Sequence, residues 1–125
     1  RMMSNEITYQ IGLKRTDSTN TLNNHVFPLW SKTLDQTLKR HYDNIVSVGT
    51  TEESIPFADI STNGLLIMQN LSTTNYVEGG TSTGDYPGKI LPGESAGPFR
   101  LNAGKTLYAK ANTGACDVRF IHYGG

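Results

Sequence analysis

The residues Gly93-Glu94-Ser95-Ala96-Gly97 match the G-x-S-x-G pattern, in which a serine hydroxyl on a sharp strand-to-helix turn attacks an acyl carbon. Asp117 and His122 follow in the order acid, then base, which would activate that hydroxyl and hold the base in place. The chemistry requires a strand before Ser95, a helix after it and a Gly-rich oxyanion segment upstream. Here Pro92-Gly93 precedes the serine, Pro98 follows closely, and no helical pattern begins. Asp117 and His122 also come too soon after Ser95 for the intervening strands and helices of a hydrolase sheet. The segment reads as a Gly/Ser/Pro turn between short strands, and the chain is expected not to be an enzyme.

Other constellations are weaker. His25, His41 and His122 lack H-x-x-x-H or H-x-H spacing, and the single Cys116 leaves neither a structural zinc set nor an internal disulfide. Glu52-Glu53 and Asp59 offer oxygen ligands without a D-x-[DN]-x-[DN]-G loop, so they read as a solvated turn. The Gly88-Lys89 pair fails as a phosphate loop, because Thr83 stands where glycine is needed and Ile90 where Ser or Thr is needed. No metal or cofactor is expected. Asn70-Leu71-Ser72 is a formal glycosylation sequon, but the amino end carries no apolar leader and the sequon is expected to go unused. Tyr76, Tyr86, Tyr108, Tyr123 and Trp30 could form a sugar-stacking platform or serve as core and interface aromatics.

The 125 residues fit one domain able to bury a core without staples. Eleven basic residues balance eleven acidic ones, which leaves no electrostatic footprint for nucleic acid. No run approaches the roughly 20 apolar residues of a membrane helix.

Along the chain, Gly64 to Gly80 is the organising stretch. Leu65, Leu66, Ile67 and Met68 form a short apolar run between turn signals, which predicts a strand buried on both faces. Ile7, Tyr9, Ile11 and Leu13 alternate with polar or small residues and predict a half-buried strand. Lys14 to Asn24 is polar and reads as a loop or exposed arm. Val26, Phe27, Leu29 and Trp30 surround Pro28, whose missing N–H confines them to an edge or a docked arm. Ser31 to His41 reads as extended or irregular, and Tyr42 to Gly49 as a strand. The segment from Thr81 to Lys89 reads as a mobile loop. Asn102-Ala103-Gly104 and Asn112-Thr113-Gly114 are turn triplets bracketing two final strands. The expected fold is all-β: a small β-sandwich or jelly-roll-like domain of about seven or eight short strands with an N-terminal extended arm. Residues 1–47 would hold the first strand and the arm, and residues 48–125 the main sandwich, in one domain overall.

Five segments carry a resemblance: Val48-Gly49-Thr50-Thr51-Glu52-Glu53; Ile55-Pro56-Phe57-Ala58-Asp59-Ile60; Gly64 to Leu71; Asn75-Tyr76-Val77-Glu78; and Leu91-Pro92-Gly93-Glu94 through Phe99-Arg100-Leu101. In this order they resemble a group of small virion structural proteins of tailed bacteriophages, over roughly Val48 to Gly125. The resemblance implies a capsid decoration or cement subunit, with the major capsid protein or other virion proteins as partners. It would reside in the virion, after assembly in the host bacterial cytoplasm. The alternative is a receptor- or glycan-binding module of a phage fibre, spike or tail. A homo-oligomer, guessed to be a trimer, is expected, with no nucleic acid or membrane as partner. The candidate interface residues are Val26, Phe27, Leu29, Trp30, Tyr76 and Tyr86.

Overall fold

The computed structural model describes residues 5–36, 40–57, 60 and 62–124, apart from the side chains of residues 5, 6, 27, 35 and 36. The chain divides into two compact units, Arg1–Thr37 and Leu38–Gly125.

In the first unit, the alternating stretch and the segment around Pro28 pair with each other. Strand β1 (Asn5–Arg15) and strand β2 (His25–Gln36) form an antiparallel two-stranded sheet. Ile7 faces Leu34, Tyr9 faces Lys32 and Ile11 faces Trp30. The next pair is Leu13 with Phe27, so Pro28 and Leu29 together oppose Gly12 in a β-bulge. A bulge in a two-stranded ribbon is where a strand tolerates a proline. The polar tip is ordered by Asp17. Its carboxylate accepts from the Thr19 and Asn20 amides, the Thr19 hydroxyl and the Asn23 amide side chain, at 2.8–3.1 Å. Asn20 then caps a 3-10 turn at Thr21–Asn23. These hydrogen bonds, the one from Asn23 first, hold the Asp17 carboxyl far below the ordinary carboxylate range.

The second unit is an antiparallel sandwich-like pair of four-stranded sheets. One sheet runs in the order β3 (His41–Val48), β10 (Cys116–Tyr123), β5 (Leu65–Asn70), β8 (Ser95–Arg100). The other runs β4 (Glu53–Ser54), β9 (Tyr108–Ala111), β6 (Val77–Gly80), β7 (Gly88–Ile90). The expected count of about seven or eight strands rises to ten because β4 and β7 are two- and three-residue edge pieces defined only by their ladder partners. The segment from Thr81 carries pairing of its own. Ser82 bridges Asp85, and the Gly84 amide donates to Glu52 Oε1 at 2.8 Å.

Period-two alternation puts Cys116, Val118, Phe120 and His122 inward along β10. Cys116, Val118 and Phe120 meet Val48, Leu66 and Met68 of their own sheet and Val77, Ile90, Ala109 and Ala111 of the other, with Ile55, Leu101 and Leu107 closing the core. Leu66, Met68 and Asn70 are buried on the inward face of β5, whereas on its other face Leu65 is buried and Ile67 and Gln69 are partly exposed, so the expected burial on both faces gives way to the one-sided burial of a two-layer fold. Phe120 is fully buried, whereas Ile45 on neighbouring β3 is 60% exposed. Phe120→Ala should therefore cost about 3–5 kcal/mol in chemical denaturation, and Ile45→Ala less than about 0.5 kcal/mol. Equal losses would contradict this inward and outward assignment.

Candidate functional site

The serine motif resolves into two backbone devices. Leu91-Pro92-Gly93-Glu94 is a turn closed by the Glu94 amide on the Leu91 carbonyl at 3.0 Å, with Gly93 at φ +79°. Proline followed by a positive-φ glycine is the type II pattern. The second glycine serves a bulge. Leu66 pairs with Phe99 and Met68 with Ala96, so Gly97 and Pro98 together oppose Ile67. Gly97 has φ +101°, and a Cβ there would stand 2.5 Å from the Leu66 carbonyl oxygen. Both glycines are thus required by chain path.

The structure does not bring the three would-be catalytic side chains together. Ser95 is exposed at the start of β8, level with Gln69 and Arg119. Asp117 is exposed on the outer face of β10. His122 is buried inward, level with Leu66. Three residues along β5 separate the two levels, about 10 Å at strand rise.

His122 has another role. Its Nε2 accepts the Gly64 N–H at 2.9 Å, and its ring meets Phe57 edge-on at 4.4 Å. The imidazole is therefore neutral with its proton on Nδ1, and Nδ1 has no hydrogen-bond partner among the described residues. Burial pushes its pKa below the ordinary histidine value. Asn70 is the second buried polar group. Its Nδ2 donates to the Asn75 and Ile90 carbonyls at 2.9 and 3.0 Å, and its Oδ1 accepts from the Ser72 amide at 2.9 Å. The sequon amide is thereby consumed inside the fold.

The aromatic residues do not gather. Tyr86 is half-buried and donates its hydroxyl to Glu52 Oε1, which lowers the Glu52 pKa and raises that of the phenol. Tyr76 lies under the Lys89 ammonium, 4.5 Å from its ring centroid. Tyr123 sits beside His41, and Trp30 belongs to the first unit. Among the described residues, none of Tyr76, Tyr86, Tyr108, Tyr123 and Trp30 makes ring contact with another of them. No group of three His, Cys, Asp or Glu side chains could share an ion among the described residues; Asp59 lies outside them.

Two features went unread in the sequence. The first is a cleft of about 260 Å³ between the sheets, lined by Met68, Ala96 and Phe99 on one side and Gly79, Gly88 and Ile90 on the other. Gly79 and Gly88 are cross-strand partners, so that rung of the inward face carries no side chains. The second is the hairpin surface. Ile7, Tyr9, Ile11, Leu34 and Trp30 share one face, with Tyr9 and Trp30 in edge contact at 5.7 Å. Thr8, Gln10, Ser31 and Thr33 share the other, where the Thr8 and Thr33 hydroxyls are 3.0 Å apart. Trp30 is 49% exposed, Val26 62%, Leu13 66% and Leu29 69%. Of the candidate interface residues, Val26, Leu29 and Trp30 are therefore each exposed on β2. Tyr76 and Tyr86 belong to the other unit, and the Phe27 side chain lies outside the described residues.

Searches for relatives return no matching protein-family model, no matching curated protein and no matching solved structure.

His122 makes the sandwich acid-sensitive. Its folded-state pKa is depressed, so only the unfolded chain takes up this proton near pH 6.5. Its contribution is intact above that pH and is lost as pH falls below it, with protonation of Nε2 breaking the Gly64 contact. His122→Gln, which keeps an acceptor without a titration, should flatten the stability profile between about pH 6.5 and 5. A wild-type profile already flat in that window would refute the assignment.

Proposed function

We propose that this chain is a structural subunit of a tailed-bacteriophage virion, a capsid decoration or cement protein that acts by binding and performs no catalysis. The observation that carries the reading is the hairpin unit. Its strands of 11 and 12 residues expose Leu13, Val26, Leu29 and Trp30, and its two-stranded sheet has no third strand among the described residues. Two-stranded hairpins are marginal in water, so a ribbon that exposes large apolar side chains favours a partner that covers them. The sandwich has its own closed core and needs no such cover. The resemblance of roughly Val48 to Gly125 to small virion proteins supports the same reading. In it, the protein assembles in the host bacterial cytoplasm, becomes part of the virion, and acts as a homotrimer against the major capsid protein or another virion protein.

Adding the purified protein to heads of the encoding phage that lack it should produce saturable co-sedimentation and raise the temperature at which the heads rupture. Val26→Asp/Leu29→Asp should weaken binding by at least about tenfold. Heads that neither bind nor gain stability would overturn the decoration reading. Binding of a glycan panel that is lost in Tyr86→Ala would favour the fibre or spike alternative instead.

A further inference from the structure

We propose that the cleft between the two sheets of the sandwich unit is a binding slot for a small, uncharged, fused-ring aromatic molecule. The inference goes beyond the virion reading and does not depend on it, since it concerns the inside of the sandwich alone.

The slot exists because one rung of the inner face is nearly bare. Across β9, β6 and β7 that rung is Ala109, Gly79 and Gly88, whereas the next inward rung is Ala111, Val77 and Ile90. Chain path explains the neighbouring glycine, because a Cβ on Gly80 would collide with the Asp85 carbonyl. It does not explain the facing pair. Neither Gly79 nor Gly88 has a positive φ. A Cβ on Gly79 would stand 3.4 Å from the Met68 methyl, and one on Gly88 would meet nothing nearer than the Gly79 carbonyl oxygen at 3.7 Å, both ordinary contacts. Glycine inside a strand loses more backbone entropy than other residues and has no side chain to pack. What the pair does supply is room, about 260 Å³ of it, facing Met68, Ala96 and Phe99 of the other sheet.

Size and lining set the occupant. An apolar cavity of about 150 Å³ stays dry and holds a benzene ring, so this larger one takes a fused-ring molecule. A missing rung between facing sheets is a flat gap, which suits a ring better than a branched chain. The Met68 sulfur lies 3.7 Å from the position a Gly79 Cβ would take, and thioethers and ring edges make favourable contacts with aromatic molecules. Lys89 is the only charged residue of the described lining, and it belongs to the outward rung with Glu78, its ammonium over the Tyr76 ring. An ion entering the slot would lose its water and gain no partner.

Met68 is the only methionine of the sandwich unit, and its methyl group reports on the slot. Indole added to protein carrying carbon-13 methionine methyls should shift the Met68 signal saturably. Benzene should bind at least about threefold more weakly, because it buries less apolar area. Indoleacetate, whose carboxylate would be desolvated, should bind at least about tenfold more weakly. Gly79→Ala/Gly88→Val should cut indole binding at least about tenfold, while the sandwich unfolds at the same or a higher denaturant concentration. Ala96→Leu fills the slot from the other sheet and should cut binding likewise, and Ile45→Ala, on the outer face, should leave it unchanged. A Met68 signal that indole leaves unmoved up to its solubility limit overturns the proposal. Undiminished binding in the filled variants overturns the location, and equal binding of indoleacetate overturns the uncharged occupant. A tryptophan-bearing peptide that shifts the signal where free indole does not would assign the slot to a partner's side chain and overturn the small molecule.

Discussion

Everything in the sandwich depends on β10 pairing on both sides while presenting an unbroken inward row. It bonds to β3 through eight register pairs and to β5 through six, so it joins the edge of its sheet to the middle. The inward row Cys116, Val118, Phe120 and His122 commits alternate positions to the core. Cys116, Val118 and Phe120 in that row pack with Val48, Leu66 and the opposite sheet, and His122 packs on Phe57. Histidine there leaves its Nδ1–H without a partner among the described residues, and a buried polar group left so costs on the order of 1–3 kcal/mol. The Gly64 amide and the Phe57 edge offset part of that by fixing the ring and engaging its other nitrogen.

Chain path, not chemistry, explains the serine motif. A turn that reverses into an antiparallel edge strand needs a positive-φ residue, and Gly93 supplies it. A bulge that lets that strand bend over β5 needs a residue without Cβ, and Gly97 supplies that. Two glycines four apart around Glu94, Ser95 and Ala96 then reproduce a nucleophile signature. The two cases part immediately after the serine. A hydrolase serine opens a helix, whereas Ser95 opens a strand paired with Gln69.

Local periodicity was readable because it is local. The alternation of β1, the apolar run of β5 and the turn triplets around β9 each depend on a few consecutive residues. The pairing of β1 with β2 depends on residues some 20 positions apart, so Ile7 to Leu13 read as an ordinary half-buried strand and Val26 to Trp30 as a separate arm. The β4 strand exists only because Glu53 and Ser54 meet Ala109 and Tyr108, which no window of sequence displays. The cleft was hidden for the same reason, since Gly79 and Gly88 are informative only once paired. His122 was legible in principle. The pattern Cys, Val, Phe, His at every second position already places it inside, but its type suggested chemistry more strongly than its spacing suggested burial.

The two units differ in how they satisfy the same thermodynamic demand. The sandwich has inner faces on both sheets and buries one against the other, so it closes its core by itself. The hairpin has one apolar face and, among the described residues, no second sheet of its own to lay over it. Ordering the strand backbone costs more than the cross-strand pairs alone return. The remainder must come from apolar area covered by something else. By mass action, whatever covers Ile7, Tyr9, Ile11 and Trp30 also stabilises the strands that present them, so occupancy and hairpin order rise together with partner concentration. A chain that combined this hairpin with a catalytic task would tie its activity to its own concentration. A chain that works inside an assembly meets that condition by being there, since every copy is held beside others at high local concentration.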